Sequence, residues 1–202
     1  QMCIRDRYYS PKEESRVFMF LDLQSSTTIA EKLGHKKYSE FIQDCFIALN
    51  SSLLKNKGQI YQYVGDEAVV TWLMKDGIKN QRILHLFFDY QISLQLKKTY
   101  FLDKYGEMPS FKAGVSSGGV MVAEVGVLKA EIAFHGDVLN TAARLQEMCK
   151  VNKEDFIIDR KTLEILDDIS EFNCIDLGKF QLRGKIQKID IVGVYKNDAN
   201  SK

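Results

Sequence analysis

Two acidic residues at predicted strand ends, Asp22 and Asp66, are the first candidates for chemistry in this sequence. Asp22 lies near the end of the apolar run RVFMFLDL (16–23), and Asp66 follows Gly65 inside YQYVGDEAVVTW (61–72). Carboxylate oxygens are ligands that Mg²⁺ takes together with water and substrate phosphates. A Gly-Asp pair is also a common hairpin turn, so both a turn-forming and a metal-binding interpretation of Asp66 stand.

A cluster of small hydroxyl residues, QSSTT at 24–28, directly follows the first acid. Backbone N–H groups that run into a helix N-terminus form a concavity for anions, so this turn is a candidate phosphate-binding segment. Its substrate-contacting candidates are Ser25, Ser26 and Thr27. The sequence contains no GxxxxGK motif, which excludes a P-loop.

Hydrophobic periodicity predicts the elements that must position these groups. A buried strand over 16–23 precedes a long amphipathic helix that ends near Lys57-Gly58, and a hairpin follows with strands near 58–64 and 67–73. A second long helix over 79–104 leads to a second hairpin over 111–126 that turns at Ser117-Gly118-Gly119. The buried face predicted for that second helix consists of Ile83, Leu84, Phe87, Phe88, Ile92 and Leu96. The remaining predicted elements are a strand at 130–134, a helix at 137–151, a strand at 156–159, a helix at 161–168, and strands near 173–182 and 186–195.

This order of elements indicates an α+β fold with a ferredoxin-like βαββαβ core, an antiparallel sheet with helices on one face, and C-terminal αβ extensions. In such a core the strands that carry Asp22 and Asp66 are adjacent, so both carboxylates could project from the same edge of the sheet. We expect one domain over 16–196 and a tail over 197–202. Residues 1–15 are interpreted as a non-native or linker segment, because QMCIRDR has neither a signal-peptide core nor a helix or strand pattern.

The composition restricts the partners that the chain could bind. Its 202 residues include 28 Lys and Arg and 27 Asp and Glu, so no net field favours nucleic acid or an anionic membrane. No apolar run approaches the roughly 20 residues that a membrane span needs. The four cysteines lack metal-binding spacing and indicate free thiols in a reducing compartment. We therefore expect a cytoplasmic location, either alone or as the cytoplasmic domain of a membrane-anchored protein.

Three motifs in order, FLDLQSST, YVGDEA and GDVLNTAARL, resemble the catalytic domain of class III nucleotidyl cyclases, the adenylyl and guanylyl cyclases. The resemblance covers about residues 16–195. It implies a homodimer with catalytic sites at the interface and two Mg²⁺ or Mn²⁺ ions in each site. It also implies conversion of a nucleoside triphosphate to a cyclic nucleotide and pyrophosphate in signal transduction. A sensor or membrane segment upstream of this chain is a further expectation from the family.

The resemblance assigns the metal site and the transition-state contacts residue by residue. Asp22 and Asp66 match the two metal-binding aspartates of the family, with the Leu23 carbonyl also near a metal. Asn140 and Arg144 match an Asn-x-x-x-Arg pair that the opposite protomer supplies. In that pair the Asn orients the ribose, and the Arg meets the charge that develops on the α-phosphate. Residues four apart share a helix face, which agrees with this joint role.

The resemblance also assigns contacts to the triphosphate and to the base. Arg183 aligns with a basic residue that contacts the triphosphate, and Lys185 is a second candidate for that contact. Gln62 stands where the family commonly has Lys in adenylyl and Glu in guanylyl cyclases. Ala133 stands where adenylyl cyclases often have Asp or Thr, and Ser25 replaces a usual Gly. A Gln amide can pair with either purine, and we favour ATP as the substrate, with GTP as the alternative.

Two other interpretations remain at this stage. YQYVGDEAVV also resembles the GGDEF hairpin of diguanylate cyclases, but Val64 replaces the second glycine and the Asn140–Arg144 helix has no counterpart there. The departures at Gln62 and Ala133 would also be compatible with a catalytically weak domain kept for nucleotide sensing or dimerisation.

Overall fold

The computed structural model describes residues 10–126, 129–181 and 188–197, and these ranges form one eight-stranded sheet with helices packed against it. The strands are β1 (Lys12–Leu23), β2 (Gln59–Val64), β3 (Glu67–Leu73), β4 (Phe111–Val125), β5 (Glu131–His135), β6 (Phe156–Asp159), β7 (Phe172–Phe180) and β8 (Ile189–Lys196). The helices are α1 (Ser26–Asn56), α2 (Met74–Ile78), α3 (Arg82–Leu96), α4 (Lys98–Tyr105), α5 (Asp137–Asn152) and α6 (Arg160–Glu164), with a 3₁₀ turn at Lys79–Gln81.

The sheet contains the expected ferredoxin-like core. Its strand order is β2-β3-β1-β4-β6-β8-β7, and β5 pairs with β4 beside this path. The β2–β3, β3–β1 and β1–β4 pairs are antiparallel, while β4 and β6 run parallel. Helix α1 connects β1 to β2, and helices α3 and α4 lie between β3 and β4 in the chain. The α+β fold with a βαββαβ core is therefore confirmed.

The two faces of β1 pack against different helices, because successive side chains of a strand point to opposite sides. Its odd-numbered residues enter the larger core with α1, α3 and α4; these are Val17, Met19, Leu21 and Leu23. Its even-numbered residues Phe18 and Phe20 pack instead with Val138 and Ala142 of α5. The prediction that the helices cover one face is therefore wrong for α5. The second face of the sheet is also apolar, and α5 buries it.

The second predicted hairpin is wrong, because β4 continues without a turn through Ser117-Gly118-Gly119. Gly118 and Gly119 instead pair with Arg16 and Ser15 of β1. The chain crosses this face of the sheet closely at Gly136. A Cβ on Gly136, just before α5, would lie 3.0 Å from the carbonyl oxygen of Gly119. The turn falls after Val125, where Gly126 has φ of 91°.

The predicted helix over 79–104 is divided at Lys97 into α3 and α4. The break turns α4 towards α1, so that the rings of Phe101 and Tyr105 lie 5.7 and 5.1 Å from that of Phe41. Ile92 and Leu96, which were predicted to be buried, are 47% and 83% exposed. Packing of the short helix α4 on α1, through Phe101 and Tyr105, therefore overrides the continuous helical period.

Three smaller observations bear on the remaining expectations. Strand β1 begins at Lys12, four residues before the predicted start of that strand. Cys45 and Cys149 are buried free thiols, and Cys174 is an exposed one. Within the described ranges, every helix is either too short or too polar to cross a membrane.

Candidate active site

Strand register brings the two predicted acids to one edge of the sheet. Asp22 of β1 lies directly opposite Glu67 of β3, and Asp66 is the residue before Glu67 in the turn from β2. Directly opposite residues of an antiparallel pair have Cα atoms about 4.5–5.5 Å apart and share a face. The turn is possible because Gly65 adopts φ of 62°, a left-handed conformation that glycine accepts at little cost.

Burial, and then mutual repulsion, raise the pKa values of two acids at this edge. Burial, and then the nearby charge of Asp66, raise the pKa of Asp22 above its usual value. Burial together with the charges of Asp22, Asp66 and Glu147 raises the pKa of Glu67 to about 7. Such crowding disfavours the charged forms unless a cation neutralises them. The negative charge of the acids at this edge of the sheet is thus not fully neutralised by the side chains around them.

One oxygen of this cluster lacks a partner. Asp66 Oδ2 is buried and accepts no hydrogen bond from any described residue. Buried carboxylate oxygens are normally bonded, so an orphaned one next to a second aspartate fits a cation ligand. Among the described residues, no group of three or more His, Cys, Asp or Glu side chains could itself hold a metal. A cation here would therefore take further ligands from backbone carbonyls, water and substrate, as Mg²⁺ commonly does.

Two polar side chains that the sequence analysis missed support the acids. Gln146 of α5 donates from Nε2 to Asp22 Oδ2 at 3.1 Å. The Tyr38 hydroxyl of α1 interacts with Ser26 and Asp66, and burial is the main cause that raises the pKa of Tyr38 to about 12. Tyr38 comes just after Gly34, where φ of 71° and ψ of 162° interrupt the helix. Only the kinked helix and the packed α5 reveal these contacts, so spacing in the sequence could not predict them.

The hydroxyl-rich turn forms one wall of a cavity of about 590 Å³ beside Asp22. Its lining residues are Asp22, Leu23, Gln24, Ser25, Ser26, Thr27, Thr28, Lys112, Gln146, Glu147 and Lys150. Helix α1 begins at Ser26, so its first N–H groups have no partner within the helix. Ser25, which replaces the glycine usual in the family, adopts a left-handed φ of 56°. The turn keeps a glycine-like shape despite the substitution.

Two lysines supply positive charge to this cavity and were also missed. Lys112 of β4 lies opposite Asp22 in the sheet, and Lys150 lies on α5. The Lys112 ammonium donates to the carbonyl oxygens of Glu154 at 2.9 Å and Cys149 at 3.3 Å. A lysine inside FKAGV indicates only a strand residue; its position beside Asp22 depends on the β1–β4 register.

The residues expected to contact the base lie at a separate cavity of about 680 Å³. Gln62 of β2 lines it, and Ala133 of β5 stands between two lining residues, Ile132 and Phe134. The two cavities share no lining residue. One chain thus has one cavity beside Asp22 and the serine–threonine turn, and a second cavity lined by Gln62.

The Asn140–Arg144 pair lies on α5, outside both cavities. Asn140 is exposed and Arg144 half-buried, and neither side chain bonds to a described residue. The structure therefore brings together Asp22, Leu23, Asp66 and the serine–threonine turn, but not Gln62, Ala133, Asn140 or Arg144. Arg183 and Lys185 lie outside the described residues, so their predicted role stays a prediction.

Comparison with known proteins identifies the family of this site. Residues 8–195 match the family model of the adenylate and guanylate cyclase catalytic domain. Adenylate cyclase 2 of Rhizobium meliloti is 32% identical over 188 residues, which are 93% of this chain and 52% of that protein. The chain thus spans about half the length of that relative.

Solved structures agree at the level of the fold. The adenylyl cyclase CyaB from P. aeruginosa superimposes with a TM-score of 0.78 at 17% identity, covering 96% of this chain and 100% of that chain. The guanylate cyclase domain of RhGC from Catenaria anguillulae, in complex with GTP, gives 0.75 at 20% identity and covers 93% and 100%. With the paired acids and the family match on the same elements, the chain belongs to the adenylate and guanylate cyclase catalytic domain family.

Proposed function

We propose that this chain converts ATP to 3′,5′-cyclic AMP and pyrophosphate in a homodimer with its active sites at the interface. One observation carries the proposal: the buried, unpartnered Asp66 Oδ2 lies near Asp22, and Asp22 lines the same cavity as the serine–threonine turn. A relative at 32% identity named adenylate cyclase supports ATP as the substrate.

The acidic edge fits two Mg²⁺ or Mn²⁺ ions held by Asp22 and Asp66, with the Leu23 carbonyl as a further ligand. When bound, such ions lower the pKa of an attacking hydroxyl and neutralise charge on the phosphates. The residues of the chain itself must hold Asp22 and Asp66 in place for this. Gln146 restrains Asp22 through its 3.1 Å hydrogen bond, and Tyr38 restrains Asp66 from the other side.

The triphosphate would lie along the serine–threonine turn. The N–H groups of Ser26 and Thr27 at the start of α1 have no partner within the helix. Together with the helix dipole, they would stabilise an anion bound at this end of the helix. Lys112 and Lys150 line the same cavity and offset the charge of the phosphates. Lys112 would exchange its bonds to backbone carbonyls for bonds to phosphate oxygens, which are stronger acceptors.

A second copy of the chain completes the site. Asn140 and Arg144 have no partner among the described residues and lie away from the acids of their own chain. Across a twofold interface, Asn140 would orient the ribose and Arg144 would stabilise the charge that builds on the α-phosphate. A preorganised donor of this kind contributes roughly 3–4 kcal/mol to transition-state stabilisation. Gln62 would meet the base from the same partner half.

The contacts that the protein makes to the purine base determine whether ATP or GTP is the substrate. The Gln62 amide can donate to adenine N1 and accept from the 6-amino group, or rotate to pair with guanine. The fold-level similarity to a guanylate cyclase domain in complex with GTP keeps GTP as the second candidate. A base whose polar edge stayed unpaired would bind less favourably by about 1–3 kcal/mol.

The proposal is tested by incubating the purified chain with ATP and with GTP, in Mg²⁺ and in Mn²⁺, and measuring cyclic nucleotide and pyrophosphate. We expect cyclic AMP, abolished by EDTA and by Asp22→Ala, and reduced about 100-fold or more by Arg144→Ala while the variant stays folded. Tight ATP binding without pyrophosphate release in either metal would contradict the proposal and indicate a nucleotide-sensing domain. Cyclic di-GMP made from GTP would also contradict it.

A further inference from the structure

A buried arginine lies inside the cavity that contains Gln62. Arg16 of β1 is only 5% exposed despite its charge, and it lines the cavity of about 680 Å³. It pairs with Gly118 of β4 on one side and Leu73 of β3 on the other.

The guanidinium is held in one orientation by three neighbours. Its Nε donates to Glu14 Oε2 at 2.7 Å, and Nη1 lies 3.5 Å from Thr71 Oγ1. Its central carbon is 4.6 Å from the ring centroid of Phe134. Phe134 in turn contacts Tyr61 edge to face, with ring centroids 4.8 Å apart. A guanidinium stacked on a ring and fixed at Nε presents its remaining donors in a defined direction.

The guanidinium of Arg16 keeps N–H donors that no described residue accepts. Nη2 of Arg16 forms no hydrogen bond to any described residue. Fold stability does not demand an arginine here, since a well-packed apolar residue often replaces a buried ion pair at no cost or with a gain. An oriented donor that lines a cavity and has no partner among the described residues is better explained by a ligand.

The cavity has the size and lining for a heteroaromatic ring. Its volume falls within the roughly 300–1,000 Å³ of small-molecule sites, and Tyr61 and Phe134 supply apolar ring surfaces. Gln62 is exposed at this cavity, whereas Ala133 is not among its lining residues. A base bound against Gln62 would therefore need a second polar contact from somewhere else.

We infer that Arg16 is a base-binding residue, which donates a hydrogen bond from its guanidinium to N7 of the purine held by Gln62. The inference rests on the proposed function. The Gln62 amide donates to adenine N1 and accepts from the 6-amino group, so N7 remains as an acceptor for the donor-only Arg16. Arg16 thereby supplies the polar contact that Ala133 cannot make.

The experiment compares ATP, 1-deaza-ATP and 7-deaza-ATP, each with the unmodified protein and with Arg16→Met, by turnover and by calorimetric binding. Arg16→Met keeps a long apolar side chain but removes every donor. We expect kcat/KM and affinity for ATP to fall about 10–100-fold, the range for losing a charge-assisted hydrogen bond, with most of the change in KM. With the analogue that lacks the accepting nitrogen, the two proteins should differ by less than about twofold.

Two further variants separate base recognition from folding. Arg16→Lys keeps a cation against Phe134 and should lose less towards ATP than Arg16→Met, with the same dependence on the ring nitrogen. Glu14→Gln weakens the ion pair but leaves the donors of Arg16, so it should affect thermal stability more than nucleotide selectivity. An equal loss for all three nucleotides in both Arg16 variants would overturn the inference. If the unmodified protein binds nucleotide without turnover, the proposed function fails, while the nitrogen dependence of binding still decides the role of Arg16.

Discussion

Replacing Gly114 by alanine would push helix α5 away from the sheet and so disturb both halves of the proposed site. Gly114 lies in β4 on the face that α5 covers, opposite Phe20 of β1. A Cβ at this position would stand 2.1 Å from the backbone nitrogen of Gln146 and 2.3 Å from the carbonyl oxygen of Ala142. These are backbone atoms, so no side-chain rotation relieves the overlap and the helix itself must move.

The size of the effect follows from these distances. Ordinary contact begins near 3.4 Å, so α5 must retreat by about 1 Å. Gln146 would then lie too far from Asp22 to keep its 3.1 Å hydrogen bond. Arg144, on the same helix, would shift by a similar amount. Overpacking of this kind costs about 1–3 kcal/mol of stability, and a misplacement of about 1 Å costs roughly 100-fold in rate.

The assay pairs urea unfolding with cyclase activity, and Gly118→Ala provides the matched control. Gly118 lies on the same strand and the same face, but a Cβ there would meet only the Val138 side chain, at an ordinary 3.6 Å. We expect Gly114→Ala to unfold at lower urea and to lose about 100-fold in rate, while Gly118→Ala stays near the unmodified protein. If both variants kept full stability and rate, the argument that α5 positions the site would be refuted.

Three other predictions concern residues of the acidic edge and its cavity. Because burial and neighbouring acids raise the pKa of Glu67 to about 7, the folded protein takes up a proton more readily than the unfolded chain. In EDTA, the free energy of unfolding should therefore fall as the pH rises from about 4.5 to 7, and urea titrations of Glu67→Gln should show a flatter curve. Gln146→Leu leaves Asp22 Oδ2 without its donor and should raise the Mn²⁺ concentration needed for half-maximal activity several-fold, as a Mn²⁺ titration at saturating ATP would show. Lys112→Met removes a cation from the phosphate cavity and should raise KM for ATP about tenfold with a smaller change in kcat, and unchanged steady-state kinetics would contradict that role.

Much of the fold followed from local patterns in the sequence. The apolar run that ends at Asp22, the Gly65-Asp66 turn and the periodic helix after it each depend on residues close in sequence. Together they were enough to indicate a βαββαβ core with both acids at one edge. The roles of the individual site residues stay predictions, since nothing yet tests them by chemistry.

What local patterns could not indicate depends on contacts between distant segments. Ser117-Gly118-Gly119 has turn composition, but these residues lie in the middle of a strand because β4 stays paired with β1 through all three of them. Lys112 meets Asp22 only through the register of β1 with β4. Gln146 meets Asp22 only because Gly114 lets α5 approach the sheet. Arg16 is buried although it is charged, which a strand pattern in the sequence cannot indicate.

The central claim is that the acids of one protomer act with the arginine of the other, and mixing two inactive variants tests it most directly. Asp22→Ala and Arg144→Ala homodimers each lack one half of every site. After subunit exchange, half of the dimers would be mixed, and each mixed dimer would contain one intact site, so we expect about a quarter of the unmodified activity to return. If subunit exchange is verified and the mixture stays as inactive as its parents, the two-protomer site is contradicted.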